Sequence, residues 1–94
     1  MTKILDTTIS DTGVVVSFSE NDKRNPHGVI ISMNVGAGDT LTVLTKVGAE
    51  SLKAIKTYTA TGDVTFVSLP DSLRIDRTTD GSSEDSTSYI SQID

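Results

Sequence analysis

The sequence predicts an all-β fold, an antiparallel β-sandwich of about eight short strands in a jelly-roll or an Ig-like strand order. Two observations support this prediction. Short segments alternate Val, Ile or Leu with Thr or Ser, which is the period-two pattern of strands that bury one face. Turns rich in Gly, Asp and Asn separate these segments at short, fairly regular intervals, as is typical of antiparallel sandwiches and barrels.

Four strands are predicted in the first half of the chain. They are Lys3–Ile9, Val14–Phe18, Val29–Val35 and a strand whose inward row is Leu41, Val43, Thr45 and Val47. Strict alternation places Val14, Val16 and Phe18 together on the core side of the second strand. Ser19–Gly28 is a polar loop, because Pro26 fixes its own φ and biases Asn25 away from a helical conformation.

The second half contains two segments that admit more than one interpretation. Gly48–Thr59 includes good helix formers, but KTYT is strand-like, so an irregular strand beginning near Leu52 is favoured over a helix. Asp63–Leu69 changes phase after Phe66, which a bulge or burial on both faces would explain. Leu73 and Ile75 point to one side of the next strand. A polar loop at Thr78–Ser88 and a last strand at Tyr89–Ile93 complete the chain.

Length and composition limit the classes of protein. The 94 residues predict one domain, residues 1–94, with a small aliphatic core, so oligomerisation is the common remaining way to bury more surface. A net charge of −5 with scattered Lys and Arg argues against direct binding of nucleic acid. The lack of cysteine fits a reducing cytoplasm, and no apolar run suits export or membrane insertion. We therefore expect a soluble protein with no membrane partner.

No segment resembles a catalytic motif. The only histidine, His27, lies in a turn without a recognisable nucleophile motif, so the chain is expected not to be an enzyme and to have no catalytic residue, cofactor or small-molecule substrate. Asp80, Glu84 and Asp85 could offer oxygens to calcium, as could Asp63 with Asp71. Their spacing does not match an EF-hand, and solvated turn carboxylates without a metal are the preferred interpretation.

Four further residues are candidates for contacts. Tyr58 and Tyr89 could stack on sugar rings, although each is expected to be a half-buried cross-strand partner instead. Arg74 and Arg77 lie on opposite faces of one strand and flank Asp76. A bidentate contact between Arg and a carboxylate across a subunit boundary is one interpretation, and ordinary pairing with Asp63 or Asp71 is the preferred alternative.

Four segments together resemble the small all-β virion proteins of tailed bacteriophages. They are Gly38–Gly48 (GDTLTVLTKVG), Lys56–Pro70 (KTYTATGDVTFVSLP), Leu73–Ile75 and the Ser/Thr/Gly-rich stretch Thr78–Ser88. The resemblance covers a little over half of the chain. It implies a non-enzymatic structural role in the virion.

Within that group the chain is similar to capsid decoration (cement) proteins, which lack cysteine and commonly form trimers over junctions of the major capsid protein. The resemblance implies a homotrimer made in the host cytoplasm that coats the capsid surface and stabilises the head. The off-phase Ile30 and Leu44 are expected to be exposed at a contact, together with Arg74 and Arg77. Met1–Ser10 could add to a capsid strand. A head–tail connector, a tail or fibre-attachment subunit, and a carbohydrate-binding or adhesion module remain alternatives.

Overall fold

A computed structural model of the protein describes residues 2–81 and 85–93. In this part of the chain two antiparallel sheets of four strands each enclose the core, which confirms the predicted β-sandwich. The elements in chain order are β1 (Thr2–Ile9), β2 (Val16–Ser17), α1 (Glu20–Arg24), β3 (Val29–Asn34), β4 (Asp39–Lys46), β5 (Lys53–Tyr58), β6 (Gly62–Phe66), β7 (Ser72–Thr79) and β8 (Ser86–Gln92).

The strand order decides between the two predicted topologies. Sheet A has the order β1-β8-β3-β6, and sheet B has the order β2-β7-β4-β5. Strands β1 and β8, β2 and β7, β3 and β6, and β4 and β5 are therefore paired, as in one long hairpin that wraps around the core. This is a jelly roll. An Ig-like order would instead place the first strand beside the second.

Inward side chains of both sheets form one core. Ile31 and Ile90 from sheet A and Leu41 and Leu73 from sheet B are completely buried. Each such aliphatic side chain stabilises the fold by about 1.5–3 kcal/mol when fully buried. Tyr58 and Phe66 pack on this cluster at its margin. The period-two pattern of the sequence thus identified the core-facing side of most strands.

The uncertain segment after Gly48 forms an edge strand. Strand β5 begins at Lys53, so the favoured strand is confirmed and the helix alternative is wrong. Its register with β4 shifts between Val43 and Leu44, which leaves Ile55 as an extra residue in a bulge. Bulges and lysines on an edge strand oppose uncontrolled pairing with other chains. Lys53 and Lys56 therefore make β5 a protected edge.

Three predicted strand positions are wrong because the strands begin later or end earlier than expected. Val14 is 52% exposed, since β2 has only two residues and the segment before it lies along β7 without alternating. There the Arg77 N–H donates to the Asp11 carbonyl. Val47 is 65% exposed because it follows the end of β4. The phase change at Val67 is neither a bulge nor two-sided burial, because β6 ends at Phe66 and a turn follows.

The predicted polar loop after Phe18 contains a helix of five residues, α1. Ser19 forms a capping box with Asp22: the Asp22 N–H donates to Ser19 Oγ, and the Ser19 N–H donates to Asp22 Oδ2. Such reciprocal bonds satisfy N–H groups that the first turn of a helix leaves without partners. An ion pair between Lys23 and Asp71 fastens α1 to the turn between β6 and β7.

Candidate functional site

Ile30 and Leu44 point outward from different sheets. Ile30 lies between Ser91 and Thr65 on the outer face of sheet A, whereas Leu44 lies between Arg74 and Ala54 on the outer face of sheet B. Both side chains are half-buried rather than exposed, because their neighbours in the sheet cover them in part. The two outer faces of a sandwich point away from each other. The two residues therefore cannot belong to one continuous contact patch.

Arg74 and Arg77 lie on opposite faces of β7, as the alternation predicts. Arg74 binds Asp76 on the outer face with two hydrogen bonds, from Nε to Oδ1 at 2.8 Å and from Nη2 to Oδ2 at 2.9 Å. Burial opposes ionisation of Asp76, but the Arg74 bonds and a bond from the Gly13 N–H together hold its pKa below the ordinary value. The bonds described for these two arginines go to Asp76 and Asp39, not to the expected Asp63 and Asp71.

Arg77 points inward and belongs to a polar network at one end of the sandwich. Its Nε donates to Asp39 Oδ2 at 2.6 Å, and the Ser86 hydroxyl donates to the same oxygen at 2.6 Å. These two donors lower the pKa of the Asp39 carboxyl. Ser86 in turn accepts a bond from the Gly36 N–H. The network joins β4, β7, β8 and the turn before β4, and any contact of Arg77 with another molecule would have to compete with it.

Among the described residues, the side chains considered for calcium do not converge. Asp71 accepts bonds from Lys23 and from the Gly48 N–H, while Asp63 lies near the opposite end of the sandwich at the start of β6. Across residues 2–81 and 85–93, no three His, Asp or Glu side chains gather as metal ligands would. Glu84 of the acidic loop lies outside the described residues. The Asp80 N–H donates to the Gly38 carbonyl and thus ties the loop to a neighbouring turn.

A row of polar side chains crosses all four strands of sheet A on its outer face. Cross-strand register places Asp6 of β1 beside Tyr89 of β8, Tyr89 beside Ser32 of β3, and Ser32 beside Asp63 of β6. Together with the adjacent row these residues line a shallow open groove of about 270 Å³. The adjacent row supplies Thr87, Asn34 and Thr61. Hydroxyl, amide, carboxylate and aromatic groups therefore converge on one surface.

The two tyrosines lie in different surroundings. Tyr58 is half-buried on sheet B, packs against the core and has Lys56 Nζ at 5.4 Å from its ring centroid. This position fits the expected cross-strand role. Tyr89 is 38% exposed and stands within the groove of sheet A. Only Tyr89 is therefore placed to present a ring to a ligand in the groove, a difference that the alternating pattern of both strands did not reveal.

Comparisons of the chain with protein-family models, with curated proteins and with solved structures found no match. The described residues include no helix of the length and apolar character that crossing a membrane requires.

Proposed function

We propose that the protein is a non-enzymatic structural component of a tailed-phage virion, most specifically a capsid decoration (cement) protein. In this role it binds the lattice of the major capsid protein and stabilises the head. The observation that carries the proposal is the jelly roll, an architecture that viral capsid domains use repeatedly. The proposal rests on this fold analogy together with the resemblance in sequence.

The segments that carry the resemblance lie in strands of both sheets. GDTLTVLTKVG becomes β4 with the turns at its ends, and KTYTATGDVTFVSLP contains the second half of β5 and all of β6. The LRI segment lies in β7, which pairs with β4 along its whole length. The resemblance therefore covers β4, parts of β5 and β7, the edge strand β6 of sheet A and the start of β8.

The outer surface suits adhesion to another protein. Thr40 and Thr42 of β4 alternate with buried residues and face outward, as do Thr8 of β1 and Thr87 of β8. Short hydroxyl side chains of this kind can bond to a partner directly or through bridging water without weakening the interface. Many identical copies around a shell would act multivalently, so each contact can be modest.

Self-assembly into a homotrimer is part of the proposal. Val14 and Val15 are consecutive and about half exposed, and they lie directly before edge strand β2. Because the core of a chain of this size is small, covering such residues in an oligomer would add useful apolar burial. A cyclic trimer joins two different patches of each subunit, so its contact is heterologous.

Cosedimentation tests the proposal. Purified protein is mixed with heads assembled from the major capsid protein of the same genome, and we expect saturable binding and a higher temperature of head disruption. Native mass spectrometry should show a trimer. Protein that stays in the supernatant would refute the decoration role. If the protein instead forms a larger ring that is present at low copy number in virions, a connector or tail function would replace the proposed decoration function.

A further inference from the structure

We propose that the groove on the outer face of sheet A binds a neutral saccharide, with a sugar ring packed against Tyr89. The groove is built from the cross-strand row of Asp6, Tyr89, Ser32 and Asp63. Its volume of about 270 Å³ lies close to the lower end of small-molecule sites, which begin at roughly 300 Å³. This size suits one sugar unit with the rest of a chain extending into solvent.

Tyr89 supplies the apolar part of such a site. It is 38% exposed in the middle of a sheet whose neighbouring outward groups are polar. An aromatic ring with a polar tip matches the two sides of a sugar, which has an apolar face of C–H groups and a rim of hydroxyls. A ring fixed in a strand also loses little conformational entropy when a ligand covers it.

The polar groups of the groove supply both acceptors and donors. Within the described residues the Asp6 and Asp63 carboxylates and the Tyr89 hydroxyl form no hydrogen bond or ion pair, so all three can bond to a ligand. Asn34 accepts a bond from the Thr61 hydroxyl through Oδ1 at 3.2 Å, which leaves its NH₂ group as a donor toward the groove. A mixture of donors and acceptors suits hydroxyl groups, which do both. A cationic ligand would use the acceptors alone.

The charge of the Asp6 and Asp63 carboxylates and the distance between them indicate which ligands the groove can bind and in which role. Two negative charges disfavour an anionic sugar, because like charges at a contact oppose binding. Asp6 and Asp63 lie on strands separated by two others, so their backbones are about 14 Å apart. At that spacing the two carboxylates accept hydrogen bonds at opposite edges of the groove, and the proposed role of the groove is binding.

The test is a titration of the nitrogen-labelled protein with glucose, galactose, mannose and N-acetylglucosamine and with short oligomers of each. We expect saturable shifts of the backbone amides of Tyr89, Ser32 and Asp63 with at least one of these probes. Tyr89→Ala should weaken binding roughly tenfold, because it removes the stacking surface. Tyr89→Phe should retain most of the affinity, and Tyr58→Phe on the other sheet should bind like the wild type.

Two results would overturn the proposal. One is the absence of saturable shifts with every neutral sugar, and the other is equal sugar affinity in Tyr89→Ala and wild-type protein. A titration with a lysine- and arginine-rich peptide tests the competing kind of ligand. Shifts of the groove amides with this peptide, and none with sugars, would identify a cationic partner instead. The titration uses the isolated protein, so its failure and a failure of capsid binding are independent.

Discussion

Arg77 and Asp39 form an ion pair that fastens β7 to β4 at the end of the sandwich where β8 begins. The Asp39 side chain is completely inaccessible to solvent, and that of Arg77 is 15% exposed. Ser86 of β8 donates a second bond to the same carboxylate oxygen, so three strands meet at one charged group. A buried carboxylate of this kind is stable only while its partners remain in place.

We expect the protein to lose stability when the pH falls below about 4. Arg77 and Ser86 hold the pKa of Asp39 below its ordinary value of 3.8 in the folded state. In this range the unfolded chain binds a proton that the folded chain does not, so the free energy of unfolding decreases as the pH decreases. Above the ordinary pKa the contribution is complete. Urea unfolding between about pH 7 and about pH 3 measures it.

Asp39→Asn is the matched variant for this pH dependence. It should be less stable than the wild type near neutral pH, because Arg77 loses the buried Asp39 carboxylate, the strongest of the charged groups that act on it. Its stability should also fall less steeply in acid, since one of the carboxyls with a lowered pKa is gone. Asp71 and Asp76 also have a lowered pKa and leave a residual slope. Equal slopes in variant and wild type would contradict the role of Asp39.

Two serines on the same face of β8 should respond oppositely to replacement by alanine. Ser86 Oγ bonds to Asp39 and to the Gly36 N–H, so Ser86→Ala should lower the free energy of unfolding by about 1–3 kcal/mol. Ser88 Oγ is buried without a partner in the described structure, beside a cavity of about 10 Å³ lined by Leu73 and Ile90. Ser88→Ala should therefore stabilise the protein by about 1 kcal/mol. Urea denaturation measures the change in the free energy of unfolding for both variants. Destabilisation by Ser88→Ala would contradict the prediction.

Gly13 allows the segment before β2 to lie against β7. A Cβ atom at this position would be 1.9 Å from the backbone oxygen of Ile75, which cannot swing away as a side chain can. Gly13→Ala should therefore displace the segment, break the 3.0 Å bond from the Gly13 N–H to Asp76, and cost about 1–3 kcal/mol. Gly62→Ala is the control. Within the described residues, no atom beyond the two chain neighbours lies within 4 Å of the added methyl, and the φ of Gly62 is not positive, so thermal unfolding should show no loss.

Local patterns of the sequence predicted the strands but not their contacts. Alternation identified Ile31 and Leu41 as core residues because burial of one face repeats every second residue. The helix α1 was missed, because Ser19–Gly28 was predicted as a polar loop although Ser19 and Asp22 have the spacing of a capping box. The pairing of Arg77 with Asp39 was not predictable, because it depends on which strands become neighbours. Only the topology supplies that information.

The groove on sheet A was even less predictable from the sequence than the ion pair of Arg77 and Asp39. Its central row takes one residue from each strand of sheet A, namely Asp6, Tyr89, Ser32 and Asp63, and their spacing in sequence carries no trace of this arrangement. Both the jelly-roll order and the register of three strand pairs are needed to bring them together. Each residue alone resembles an ordinary solvated position on a strand.

Assembly should depend on one outer face of the sandwich more than on the other. Ile30→Asp alters the face of sheet A and Leu44→Asp that of sheet B, and both leave the inward core residues in place. Since the two faces point away from each other, a single contact with the capsid can include only one of them. We expect one variant to bind heads roughly tenfold more weakly, about 1.4 kcal/mol, and the other to bind normally. Cosedimentation with heads measures the binding, circular dichroism checks folding, and each variant is the control for the other. Unchanged binding and unchanged oligomeric mass in both would exclude Ile30 and Leu44 from the interface.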